Sequence, residues 1–193
     1  MPAPAPPANL ASLSLDDIAA LAKDQSLRPV EKWHPERSGQ IDIRIARDGT
    51  WYHEGDPIKR PALVRLFSTI LRREEDGSHV LVTPVEKLAI EVEDAAFLAV
   101  EMKLVDDLVY GQRAIFRLNT GDLIIAGPKH SLELKGQGEA ALPYLHVRAN
   151  LWALLARPVY YELMEQAIET GGDPIGMTSD KIFFPLAPAE TAA

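Results

Sequence analysis

The sequence predicts an α+β protein of two small domains with mostly antiparallel sheets, built on a duplicated ββαβ-type motif. Three observations carry this. Residues 41–71, IDIRIARDGTWYHEGDPIKRPALVRLFSTIL, run as strand, turn, strand and helix. A related run returns at residues 144–171, YLHVRANLWALLARPVYYELMEQAIETG. Between them lie short alternating apolar segments separated by Gly, Asp and Asn, the pattern of strands and tight turns.

In the first run, Ile41, Ile43 and Ile45 alternate with Asp42, Arg44 and Ala46, the period of a strand with one buried face. Asp48-Gly49 tolerates positive φ and suits a two-residue hairpin turn. That turn predicts Ala46 opposite Trp51, Ile45 opposite Tyr52 and Arg44 opposite His53. Ile41, Ile43, Ile45 and Tyr52 then share one face, and Arg44, Trp51 and His53 the other, because facing residues lie on one side. Pro61 suits the first helical position, where its missing N–H costs nothing. Leu63, Leu66, Phe67, Ile70 and Leu71 make an apolar stripe at helical spacing, and Arg72-Arg73 suit the negative end of the helix. The helix is expected to lie across the apolar face of the hairpin.

The second run repeats the order. Arg157-Pro158 matches Arg60-Pro61, and without a gap Tyr160, Leu163, Met164, Ala167 and Ile168 fall on the five stripe residues. Upstream, Val147-Arg148 and Trp152 echo Ile43-Arg44 and Trp51. Each helix is followed by a Gly-containing turn and a short apolar run, residues 79–83 and 181–184, which supports internal repetition. The alternative is that any two amphipathic helices beginning at proline look alike.

The Pro/Ala-rich residues 1–13 are expected as a tail, Ser14 to Asp24 as a capped helix, and residues 28–38 as irregular, with Pro29 and Pro35 discouraging regular structure. A strand should present Leu88, Ile90 and Val92 on one face, and a longer one Leu98, Val100, Met102 and Leu104. Further strands are expected at 113–118, 123–125 and 132–135. The domains divide as 14–94 and 95–187, the second α+β like the first, with a tail at 188–193.

At 193 residues the chain can bury a substantial core. A net charge of −8 argues against general affinity for nucleic acid or anionic membranes. With no cysteine there is no disulfide, thiolate nucleophile or Cys-based metal site. The opening MPAPAPPAN lacks the basic start and apolar core of a signal peptide, and no segment is long and apolar enough to span a bilayer as a helix. A cytoplasmic protein is expected.

No G-x-S-x-G elbow, phosphate loop, dinucleotide fingerprint or H-E-x-x-H pair occurs. No catalytic residue, cofactor or metal ligand is therefore assigned. Glu91, Glu93, Asp94 and Glu101 form either a solvated acidic sheet face or a set of oxygen ligands for Mg²⁺ or Ca²⁺. His53, His79, His130 and His146 have no metal-like spacing and are expected at the surface or in turns.

The runs IDIRIARDGTWYHEGDPIKRPALVRLFSTILRREEDG, LVTPVEKLAIEVED with Phe97, and YLHVRANLWALLARPVYYEL together resemble the bacterial DUF1285 family, over about residues 41–186. The chain departs from that pattern at Ala95-Ala96 and at Thr178-Ser179-Asp180. The resemblance implies two domains on a duplicated motif, the C-terminal one superficially similar to pleckstrin-homology folds. It implies no established activity, a nucleotide-type ligand held at the domain interface, and a part in signal transduction.

The residues suited to such a ligand are cationic and paired. Arg44 and Arg148 hold corresponding hairpin positions, and Arg60 and Arg157 precede the two helix-starting prolines. A guanidinium beside the free N–H groups of a helix start suits phosphate or carboxylate. Trp51 or Trp152 can stack on a base, and Thr83 and Glu86, flanking Pro84, can reach an interface pocket. Each of these eight also has a structural reading. Arg44 can pair with Glu86 or Asp94, the other arginines with nearby acids, the tryptophans can plug cores, and Thr83 can cap a turn. Three functions follow: a non-enzymatic sensor of a small anionic ligand with a signalling protein partner, an interaction module without a small ligand, or a metal-dependent hydrolase or transferase.

Overall fold

The computed structural model describes residues 28–187. The tails expected at 1–13 and 188–193, and the helix expected from Ser14 to Asp24, lie outside the described residues. A short 3-10 turn at Val30–Lys32 leads into β1 (Arg37–Ile45), β2 (Trp51–His53) and β3 (Asp56–Pro57). Helix α1 (Pro61–Thr69) follows, then β4 (Leu71–Arg73), β5 (His79–Val82) and β6 (Glu86–Val92). These strands form one sheet in the order β3-β2-β1-β6-β5-β4, so α1 carries the chain from one edge to the other.

A second sheet contains β7 (Phe97–Asp107), β8 (Gly111–Leu118), β9 (Leu123–Ile125), β10 (Leu132–Lys135), β11 (Leu142–Arg148) and β12 (Leu151–Leu155), ordered β10-β11-β12-β7-β8-β9. Helix α2 (Arg157–Thr170) follows β12, and β13 (Gly176–Ser179) pairs with β14 (Ile182–Pro185) as a separate hairpin. Among the described residues only β1 with β6 and β12 with β7 run parallel. The protein is thus two curled mixed sheets, mostly antiparallel, with two helices among the described residues: an α+β fold, as the sequence predicts.

The first hairpin differs from the prediction by one residue. Ile45 faces Trp51, Arg44 faces Tyr52 and Ile43 faces His53. The connection has three residues, Arg47-Asp48-Gly49, closed by Ala46 N–H donating to the Thr50 carbonyl at 2.9 Å, with Gly49 at φ 82°. This is the type I turn plus left-handed residue of a three-residue hairpin. The slip moves Trp51 onto the Ile43 and Ile45 face, where it is 1 % exposed. Gly49 is also required for space, because a Cβ there would meet Asn119 Nδ2 at 2.8 Å.

Helix α1 starts at Pro61 as predicted and packs Phe67 on Trp51, the rings 6.3 Å apart and nearly parallel. It ends earlier than predicted. Leu71, Arg72 and Arg73 form β4 instead of a last helical turn, because pairing with β5 at Leu81, Val80 and His79 satisfies their backbone groups. Arg72 turns to the outer face of the sheet, where Nη1 donates to the carbonyls of Val30 and Trp33 at 2.8 Å each and Nε to Glu74 at 2.6 Å.

Strand β7 also departs from simple alternation. A register shift between Ala99 and Glu101 places Phe97, Ala99 and Met102 inside and leaves Val100 44 % exposed. A bulge inserts one residue and switches the inward phase, so Leu98 and Val100 do not share the face of Met102.

Hairpin, helix and hairpin recur in both halves, but the gapless helix match does not bury equivalent positions. Leu163 is fully buried where Leu66 is 45 % exposed, and Ile168 is 59 % exposed where Leu71 is fully buried.

One core joins the two sheets. Ile43, Ile45, Trp51, Leu71 and Leu81 from the first pack into the same cluster as Phe97, Leu118, Leu145, Leu151 and Leu163. Polar ties reinforce it: Asn119 Nδ2 donates to the Gly49 carbonyl at 2.8 Å, and its Oδ1 accepts from Leu98 N–H at 3.0 Å.

Candidate interdomain binding site

The edges of the two sheets meet in a cleft. Residues 73 and 79 face each other across β4 and β5, residues 94–96 form the link between the sheets, and β10, β11 and β12 supply Lys135, Tyr144 and Trp152. With Asn150 these line a cavity of about 180 Å³. It meets a larger groove of about 550 Å³, lined by Glu31, His34 and residues 72–76, and the two share Arg73 and Asn150.

Trp152 is the aromatic wall. The Lys135 ammonium lies 3.0 Å from its ring centroid and 5.4 Å from that of Tyr144, a cation–π arrangement. The His146 ring meets Trp152 edge-on, centroids 5.0 Å apart. Among the described residues no carboxylate lies within ion-pair distance of Lys135. Burial pushes the Lys135 pKa down, opposed by Glu133 and reinforced by Arg73.

The carboxylate in the cleft is already engaged. Asp94 accepts the Tyr144 hydroxyl at 2.6 Å and pairs with Arg47 at 3.1 Å. Burial, with the Asp94 hydrogen bond second, pushes the Tyr144 pKa up to about 12. His79 is held neutral: burial first, and the Arg73 charge second, bring its pKa down to about 4. The cleft therefore presents the cations Arg73 and Lys135, the neutral donors Asn150 and His79, and two aromatic faces.

Of the eight residues proposed from sequence, Trp152 alone lines this cleft. Arg44 sits over the Tyr52 ring at 4.3 Å and is bonded to Glu93, in place of Glu86 or Asp94. The Arg47 N–H first and the Arg44 guanidinium second hold the Glu93 carboxyl below its usual range. Trp51 is sealed in the core. Arg148 reaches from β11 to donate to the Ser68 carbonyl at the end of α1, where a cation complements the helix dipole. Thr83 Oγ1 accepts from the Glu86 N–H at 3.1 Å in a local turn, and the Glu86 carboxylate lies 4.0 Å from Arg37. Arg60 and Arg157 are exposed at the starts of α1 and α2, with no ion pair among the described residues. The structure does not bring the paired arginines into one site.

Sequence reasoning did not propose Arg73, His79, Lys135, Tyr144 and Asn150 as binding residues, although all five line the cleft. The readable signal was the Asp76-Gly77 turn, which pairs Arg73 with His79. As for a metal centre, Glu93 and Glu101 are bonded to Arg44 and Arg117, and among the described residues no group of three or more His, Asp or Glu gathers to hold an ion.

Family models match nearly all of this architecture. Residues 28–95 match the model described as domain of unknown function (DUF1285), N-terminal domain, and residues 96–186 match protein of unknown function (DUF1285), C-terminal domain. The chain belongs to the DUF1285 family. A crystal structure of a DUF1285 family protein from Silicibacter pomeroyi DSS-3 is 42% identical with a TM-score of 0.76, over 92% of this chain and 96% of that one. Another family member, from Shewanella baltica OS155, is 26% identical with a TM-score of 0.51, over 64% of this chain and 91% of that one. Comparison with curated proteins finds no match.

Proposed function

We propose that this DUF1285 protein binds a small anionic ligand carrying a flat ring, of nucleotide type, in the interdomain cleft, and that it acts as a sensor in signal transduction. The observation that carries this is the Lys135 ammonium held on the Trp152 face without a carboxylate partner among the described residues. A ring can stack beside Trp152 and Tyr144 while its anionic group meets Lys135 and Arg73. The cavity of about 180 Å³ is small for a whole nucleotide, and the adjoining groove is lined by Glu31, Glu74, Glu75 and Asp76, so the anionic group belongs in the cavity and only an uncharged part of the ligand extends into the groove. A ligand touching both sheet edges favours one arrangement of the rim and so changes what a partner protein meets. We place the protein in the cytoplasm, in keeping with its lack of cysteine; among the described residues no helix is long and apolar enough to cross a membrane.

A second reading rests on an apolar surface at the far end of the second sheet. Leu108, Val109 and Tyr110 at the β7–β8 turn are exposed, as are Ile182 and Phe183 on β14. The two turns are tied by Asp180 N–H donating to the Gln112 carbonyl at 3.0 Å. Such a surface suits a protein partner.

A thermal-shift screen against nucleotides, cyclic nucleotides and dinucleotides separates the two. The expected result is a concentration-dependent rise with one class, as mass action requires for a ligand of the native state, lost in Lys135→Gln. A flat response across the screen overturns the cleft reading in favour of the apolar surface.

A further inference from the structure

We propose that the cleft takes a doubly charged oxyanion head, and that His79 gains a proton when the anion binds. This rests on the cleft reading above and adds the charge state of the ligand and a third positive partner. His79 lies beside Arg73 across the β4–β5 pair, and both line the same cavity as Lys135. The titratable groups that line the cavity with it are Arg73 on β4, Asp94 in the link, Lys135 on β10 and Tyr144 on β11, and of these Arg73 acts on its charge.

Two forces keep the imidazole neutral: burial, and the Arg73 charge. Asp94 does not offset them, since its oxygens are occupied by Arg47 and the Tyr144 hydroxyl. An incoming anion reverses this balance. Its charge offsets Arg73 and Lys135 at close range, and its oxygens favour a charged donor over a neutral one. The imidazole then holds a proton at a pH where the free protein releases it.

Arg73, Lys135 and protonated His79 match a dianion better than a monoanion, because a single negative charge leaves like charges crowded in a partly buried site. By linkage, a group that binds a proton more tightly in the complex makes the affinity rise as pH falls. The sign is fixed: the rise runs downward from the imidazolium pKa of the complex and levels off near 4, where His79 of the free protein also protonates.

Sulfate tests this, since it stays a dianion throughout the range and its own titration does not enter. Binding is followed by NMR at the Trp152 indole N–H and the His79 ring, at pH 7, 6 and 5. The expected result is a sulfate affinity that rises by up to about tenfold per pH unit, a much weaker response to the monoanion methyl sulfate at pH 5, and loss of the pH slope in His79→Asn. In the unaltered protein, saturating sulfate should move the His79 titration upward, a readout that does not depend on the variant folding. Sulfate binding with the same slope in His79→Asn, an unmoved His79 titration, or equal binding of methyl sulfate overturns the inference and leaves the anion cleft standing. No sulfate binding at millimolar concentration at pH 5 overturns both.

Discussion

Trp51 and Trp152 stand on the second strands of two similar hairpins, β1–β2 and β11–β12, yet one is sealed in the core and the other walls a cleft. The cross-strand partner decides which. Trp51 faces Ile45, whose side of the sheet is the core; Trp152 faces His146, whose side is the cleft. Neighbouring Leu151 and Ala153 point inward in its place. Equivalent positions in a repeated motif share a fate only when the register is shared, because a one-residue slip moves every side chain to the opposite face.

The sharpest way to break this comparison is to truncate both rings. Trp51→Ala is expected to cost about 3–5 kcal/mol in denaturant unfolding, as for large aromatic deletions in a core. Trp152→Ala should cost about 1 kcal/mol, the scale of a lost cation–π contact, while removing the ligand response. Equal losses of stability would make Trp152 a core residue.

The two hairpin arginines contrast less strongly. Arg148→Ala is expected to cost about 1.5–3 kcal/mol by removing a charged hydrogen bond to the end of α1, with the ligand response retained in the folded protein. A variant of unchanged stability and lost binding would return Arg148 to the site. The smallest effects belong to the helix starts. Arg60→Ala and Arg157→Ala should change stability by less than about 0.5 kcal/mol, as exposed positions do, and leave ligand response unchanged. Lost response in either variant would move the site from the cleft to the helix ends.

The order of elements was legible because it depends on local signals: alternating isoleucines in β1, Asp48-Gly49 in the turn and Pro61 at the helix start. Register was not, because two-residue and three-residue loops around the same Asp-Gly pair differ only in how Ala46 and Thr50 bond. The end of α1 was hidden for a related reason. Leu71 continues the helical stripe, and only β5, which lies later in the chain, draws it into a strand. The site was the least legible part. Lys135 reaches Trp152 only once β10, β11 and β12 lie side by side, and no short spacing in the sequence marks that arrangement. Trp152, which lines the cleft, stood out because its hairpin resembles the first, although the resemblance pointed equally to Trp51.

The continuous core has a mechanical consequence. The link at residues 94–96 separates two sheets, but Trp51 and Leu71 on one side belong to the same packed cluster as Phe97 and Leu145 on the other. Swinging the halves apart would wet that cluster and break the Asn119 and Arg148 ties. The shared core and these ties therefore hold the two sheets as one block, and on the cleft reading a ligand acts on the β4–β5 and β11–β12 edges instead of turning a hinge.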